Sequence, residues 1–143
     1  MNVYFNALNS EYYREETNMN DILKRAEELK PEIIAWRRHI HENPEVSAVL
    51  PETSAYVMTE LKKMGYEPTE CGGVTAVLEG DPNGKVFLLR ADMDALPMAE
   101  ESGLPFSSKN PKAAHTCGHD THTAMLLGAA KILMENKDKV KGR

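Results

Sequence analysis

The sequence predicts an α/β layered domain with a mixed β-sheet flanked by helices. Three observations carry this. Helical periodicity fills most of residues 20–64, two short β-branched apolar runs follow at 74–80 and 85–93, and an apolar helical pattern spans about 121–135.

Residues 1–19 are polar, with Tyr4, Phe5, Tyr12 and Tyr13 scattered without a period, and read as a loose leader ahead of a domain portion at 20–143. A helix is expected to start near Asn20 or Asp21, with Ile22, Leu23, Ala26 and Leu29 on one face. Pro31 either kinks it or opens a second helix, PEIIAWRRHIHEN, which stops before Pro44. Another helix runs from about Thr53 to Met64 and ends at Gly65, a residue suited to a left-handed cap. VTAVLEG and KVFLLRADM are joined through Asn83-Gly84, so they read as an antiparallel hairpin. Residues 101–114 are rich in Gly, Pro, Ser and Asn and read as a long loop. The last helix is apolar on nearly every side in AMLLGAAKIL, which suggests burial against a sheet.

Composition narrows the function. The 143 residues carry 17 basic and 22 acidic side chains, a net charge of −5, with no basic run, which disfavours nucleic acid as a partner. The longest nearly unbroken apolar stretch, Ala124 to Ala130, falls far short of the roughly 20 residues of a membrane helix. The first residues lack a basic segment followed by an apolar core, so they do not form a secretory signal. With only Cys71 and Cys117, a reducing cytoplasm is the expected location.

Three of the five histidines fall in the eight residues His115-Thr-Cys117-Gly-His119-Asp120-Thr-His122. Thiolate and imidazole are the preferred ligands of zinc-like ions. If the segment is extended, residues two apart face one side, so Cys117 and His119 can address one metal. A helix start just beyond would help hold Cys117 as thiolate. The alternative is a buried cysteine beside helix-capping polar residues. His39 and His41 sit in a helix, where residues two apart lie about 200° from one another and cannot share a metal. They read as solvated or structural. Asp92 and Asp94 follow an apolar strand and can both project from its end, where open α/β sheets bind ligands. Glu100 and Glu101 follow Pro97 at the start of the long loop, which leaves them unfixed.

RRHIHENPEVS (37–47), LLRADMDALPMAEESGLPF (88–106) and HTCGHDTHTAMLLGAAKIL (115–133) together resemble the metal-dependent amidohydrolases of the aminoacylase and carboxypeptidase metallopeptidase superfamily. The nearest branch holds hippurate hydrolase, auxin-conjugate hydrolases and N-acetyldiaminopimelate deacetylase. The resemblance runs from about Ile22 to the last residue and implies the N-terminal part of a metallopeptidase-like catalytic domain. It implies two divalent ions (manganese, zinc or nickel), with Cys117 and His119 as ligands and the thiolate between the ions. It gives Asp94 the catalytic support of the metal site and the general base. Asp92, His115, Asp120 and His122 become residues that orient the ligands.

Two departures accompany the resemblance. Ser47 is followed by Ala48, Val49 and Leu50, where family members carry an aromatic and an acidic residue. The chain also stops before the paired-glutamate motif, so the general base, the other ligands and the lid and dimerisation domain are expected elsewhere. The implied reaction is hydrolysis of the amide of small N-acyl amino acids by the intact enzyme, as a homo-oligomer. These 143 residues alone are then expected to be inactive. Two other readings stay open: a non-enzymatic metal-binding domain, and a hydrolase using Cys117 as nucleophile.

Overall fold

The structure, a computed structural model, describes the backbone from Tyr4 to Arg143 and the side chains from Met19 onward. Its elements are α1 (Tyr4–Glu42), α2 (Pro51–Lys63), β1 (Thr69–Glu70), β2 (Val74–Thr75), α3 (His119–Glu135) and a 3-10 turn (Lys137–Lys139). Of the leader expected over 1–19, residues 1–3 lie outside the described residues, and from Tyr4 its backbone is assigned to α1. Among the described residues no helix is long and apolar enough to cross a membrane.

The chain forms two compact units, Met1–Lys30 and Pro31–Arg143, and α1 contributes to both. Pro31 therefore neither ends the helix nor opens a new one. A proline costs its own amide bond and crowds the preceding turn, but α1 is assigned as one helix through it. In the first unit Leu29 is buried, whereas Ile22 and Leu23 of the expected apolar face are exposed.

The second unit is organised around Trp36, Val57, Leu61, Tyr66, Ala124 and Leu127, so the end of α1, α2 and α3 share one core. Val74, Ala76, Leu78 and Met93 pack against it. α3 is buried as expected, but its Ala124 and Leu127 share their core with α1 and α2 as well as with these extended segments. At Gly128 α3 packs tightly on α1, since an added Cβ would stand 2.8 Å from Ile33 Cδ1. Trp36 Nε1 donates to Glu60 Oε2 at 3.0 Å, and Tyr66 donates its hydroxyl to the Ala130 carbonyl at 2.8 Å, so both buried polar tips are satisfied. The first turn of α2 is held from outside the helix. Glu45 accepts from the amides of Glu52 at 3.2 Å and Thr53 at 2.6 Å, two donors that an uncapped helix start leaves unpaired.

The hairpin at 74–80 and 85–93 is also corrected. The described ladder is β1 with β2, antiparallel, pairing Thr69 with Thr75 and Glu70 with Val74. Residues 74–80 keep the alternation of a strand, with 74, 76 and 78 turned inward, but they do not pair with 85–93. Lys85 instead bridges Gly142 in parallel, and Phe87 donates its amide to the Arg143 carbonyl at 2.7 Å. The turn signal at Asn83-Gly84 holds locally, with Gly84 donating to Asp81, but the final residues draw the following segment to themselves. Val86, Phe87 and Leu88 are left 71–87% exposed. Isolated bridges join Val46 to Ala95 in parallel and Leu96 to Ala114 antiparallel, so the pairing is mixed although the ladders are short.

Candidate metal centre

α3 begins at His119, two residues earlier than the sequence pattern suggests, and its N-cap is Gly118 at φ +85°. Only glycine takes that left-handed conformation at little cost, and it turns the chain between Cys117 and His119. Residues 115–120 are therefore a turn leading into a helix rather than an extended stretch, so the argument that residues two apart face one side does not apply to Cys117 and His119. Helix geometry supplies another pairing: His119 and His122 are three apart on one face, their rings 5.5 Å apart between centroids.

Asp92 completes the group. One ligand atom each from Asp92, His119 and His122 lies within 4.8 Å of the others, a spacing that one ion can span. The sequence reading gave Asp92 and His122 an orienting role; the structure sets their donors beside that of His119. Thr123 ties the two segments together, its hydroxyl donating to the Asp92 carbonyl at 2.9 Å. Arg90 pairs with the Asp92 carboxylate. Cys117 is exposed at the turn and falls outside the three-residue group.

Asp94 acts on His119. Its carbonyl oxygen lies 2.9 Å and its Oδ1 3.0 Å from His119 Nδ1. Both oxygens accept, so Nδ1 carries the proton and Nε2 presents its lone pair. That carboxylate–imidazole arrangement fixes the ring of a metal-binding histidine. The donor set of two imidazoles and one carboxylate suits a divalent ion with open positions left for water or substrate.

Beneath this group lies a buried polar network. Asp120, fully buried, accepts at Oδ2 from Arg37 Nε at 2.6 Å and from His41 Nδ1 at 2.7 Å. The other nitrogen of His41, Nε2, lies 3.1 Å from Glu100 Oε1. Both His41 nitrogens therefore face carboxylate oxygens, and Arg37 Nη2 stands 3.2 Å from His41 Nδ1. Glu100 also accepts from the Ser102 hydroxyl and, at 2.6 Å, from the Ser108 amide. These bonds, the Ser102 one foremost, hold its carboxyl down to about 2. Glu100 is thus firmly held, which corrects the expectation that it would be unfixed: the serine-rich loop supplies the donors that the proline seemed to deny it.

Burial works against the charged form of Asp120, but the bonds from His41 and Arg37 outweigh it and keep the carboxyl below the usual range. His115 is buried and, among the described residues, neither ring nitrogen has a partner; desolvation lowers its pKa. Neither His115 nor Asp120 bonds to His119, so an orienting role would act through the backbone. His39 is exposed and stacks on Tyr56 at 3.9 Å, in keeping with a non-ligand role.

Sequence reasoning missed the parts of His41, Arg37 and Glu100. A signal for the first two exists: Ile33, Trp36, Arg37, Ile40 and His41 follow i, i+3, i+4, i+7, i+8 spacing, one face of a helix, and His39 lies off it.

Residues 88–143 match peptidase family M20/M25/M40. The chain is 45% identical over 126 residues to an N-acyl-L-amino acid amidohydrolase of Geobacillus stearothermophilus, covering 85% of this chain and 34% of that protein. It is 44% identical over 142 residues to an N-acetyl-L-cysteine deacetylase of Bacillus subtilis, covering 92% and 34%. A crystal structure of a dinuclear metal-binding M20 peptidase from Bacillus subtilis superposes with a TM-score of 0.77 at 36% identity, covering 81% of this chain and 33% of that one. The chain spans about a third of the length of the curated relatives it matches.

Proposed function

From the premise that this chain matches peptidase family M20/M25/M40 in sequence and in fold, we propose that it carries part of the metal site of an amidohydrolase acting on N-acyl amino acids. The observation that carries the reading is the convergence of Asp92, His119 and His122, with Asp94 aiming His119. In this proposal those three residues would hold a divalent ion, and Cys117 would add a thiolate ligand, as the resemblance implies. Manganese, zinc and nickel all suit such a mixed donor set. A bound divalent ion supplies Lewis acidity at an amide carbonyl and a more acidic water.

The chain's own residues do the rest. Asp94 holds the Nδ1 proton of His119 and so fixes which nitrogen faces the ion. Thr123 keeps the Asp92 segment in register with α3. The base that takes a proton from water is assigned to no residue here, because Glu100 is committed to Ser102, Ser108 and His41. The proposal places the protein in a reducing cytoplasm, where Cys71 and Cys117 stay thiols.

A chimera tests this. Residues 20–143 replace the matching segment of a full-length relative, and N-acetyl-methionine and hippurate hydrolysis is assayed with Mn²⁺ or Zn²⁺. The proposal expects turnover that chelators abolish and that His119→Ala removes. Turnover that survives chelators but not iodoacetamide would favour Cys117 as nucleophile and overturn it.

A further inference from the structure

Among the polar groups outside the metal triad, His41 is the one whose two ring nitrogens both reach carboxylates, from two separate segments of the chain. Its side chain is 7% exposed, as is that of Glu100, whereas Arg37 is 31% exposed. His41 and Arg37 thus lie between the carboxylates of Glu100 and Asp120, the kind of partnering that buried carboxylates require.

Its position matters more than its charge. The first turn of α3 carries His119 and His122, yet it has no side-chain cap, and its N-cap is a left-handed glycine. That turn is anchored instead by Asp120, gripped by His41 and Arg37, and by Thr123, bonded to the Asp92 carbonyl. On its other side His41 grips Glu100, which gathers the loop through Ser102 and Ser108. The same loop is tied to the end of α1 by the Lys109 amide, 2.9 Å from the Glu42 carbonyl, and by a Lys109–Glu42 ion pair at 2.5 Å.

We propose that His41 is a positioning residue for the metal centre: by joining Glu100 of the loop to Asp120 of the first turn of α3, it fixes where His119 and His122 stand. This rests on the metal reading above, and it adds a residue of α1 that touches neither ion nor substrate. A side chain serving stability alone would change the melting temperature and leave the affinity of the folded protein for metal untouched. A positioning residue changes that affinity.

The experiment titrates the whole 143-residue chain with Co²⁺ at fixed pH, following visible absorbance, with circular dichroism to establish the folded fraction. His41→Leu removes both ring nitrogens at similar volume, His41→Gln keeps an amide donor, and Glu100→Gln keeps the fold's polar contacts while releasing one end of the bridge. His41→Leu is expected to weaken Co²⁺ binding by about 10- to 100-fold in the folded protein, in line with partners that orient metal ligands. His41→Gln should recover part of the loss. Glu100→Gln should weaken binding by about tenfold, and it decides the matter if His41→Leu does not fold. Wild-type affinity in folded His41→Leu, or in Glu100→Gln where His41→Leu does not fold, would overturn the inference. A wild-type chain that binds no Co²⁺ would overturn the metal reading itself, and this inference with it.

Discussion

His119 Nδ1 lies 3.0 Å from Asp94 Oδ1 and 2.9 Å from the Asp94 carbonyl, so one residue fixes both the tautomer and the aim of the imidazole. Removing the carboxylate leaves the carbonyl bond and a weaker hold. Asp94→Asn is expected to weaken Co²⁺ or Zn²⁺ binding by about 10- to 100-fold with the circular dichroism spectrum unchanged. Calorimetric titration of the two proteins side by side checks this, and equal affinities would count against the assigned role.

Cys117 gives a spectroscopic prediction. If its thiolate contacts an ion, Co²⁺ loading produces charge-transfer absorbance that is absent in Cys117→Ala, while the visible bands from the histidine and carboxylate ligands persist. An identical spectrum in the variant would remove Cys117 from the ligand set and leave the three-residue group standing alone.

Glu100 predicts a dependence on acid. Its carboxyl is held at about 2 against an ordinary value of 4.5, first by the Ser102 hydroxyl, then by the Ser108 amide and His41. The unfolded chain takes up the proton first as pH falls. The stabilisation is therefore complete above about 4.5 and is lost progressively as pH drops toward about 2. Denaturant unfolding between pH 5 and 2 should show a slope that is shallower in Glu100→Gln. Equal slopes would show that the loop bonds do not contribute.

The chain by itself should hydrolyse N-acetyl-methionine or hippurate at below about 0.01 s⁻¹ even with Mn²⁺ or Zn²⁺ present. A typical turnover of about 10 s⁻¹, reduced about 10³-fold (the middle of the roughly 10²- to 10⁴-fold worth of a positioned base), falls to about 0.01 s⁻¹. Steady-state assays check it. Chelator-sensitive turnover near 1 s⁻¹ would mean that a residue described above serves as base.

What could be read from the sequence followed local physics. The C-terminal end of α2 was legible because Gly65 takes a positive φ of 95° just past the helix, whereas the helix starts at Pro51, two residues before the expected Thr53. The crowding of His and Cys over 115–122 was legible from residue types alone; that Asp92 lies beside His119 and His122 was not. The hairpin was not, because strand pairing is settled by competition among distant segments, and Lys85 found Gly142. Nor was the contact between His41 and Glu100, 59 residues apart, since nothing local marks which carboxylate a buried imidazole will meet.

The central claim is that Asp92, His119 and His122 hold one ion together, and Zn²⁺ calorimetry on the wild type and the three single alanine variants tests it most directly. Saturable binding that weakens by more than about 100-fold in each variant, beyond the reach of merely orienting residues, is the predicted result. An isotherm in any folded variant that superposes on the wild type would contradict it.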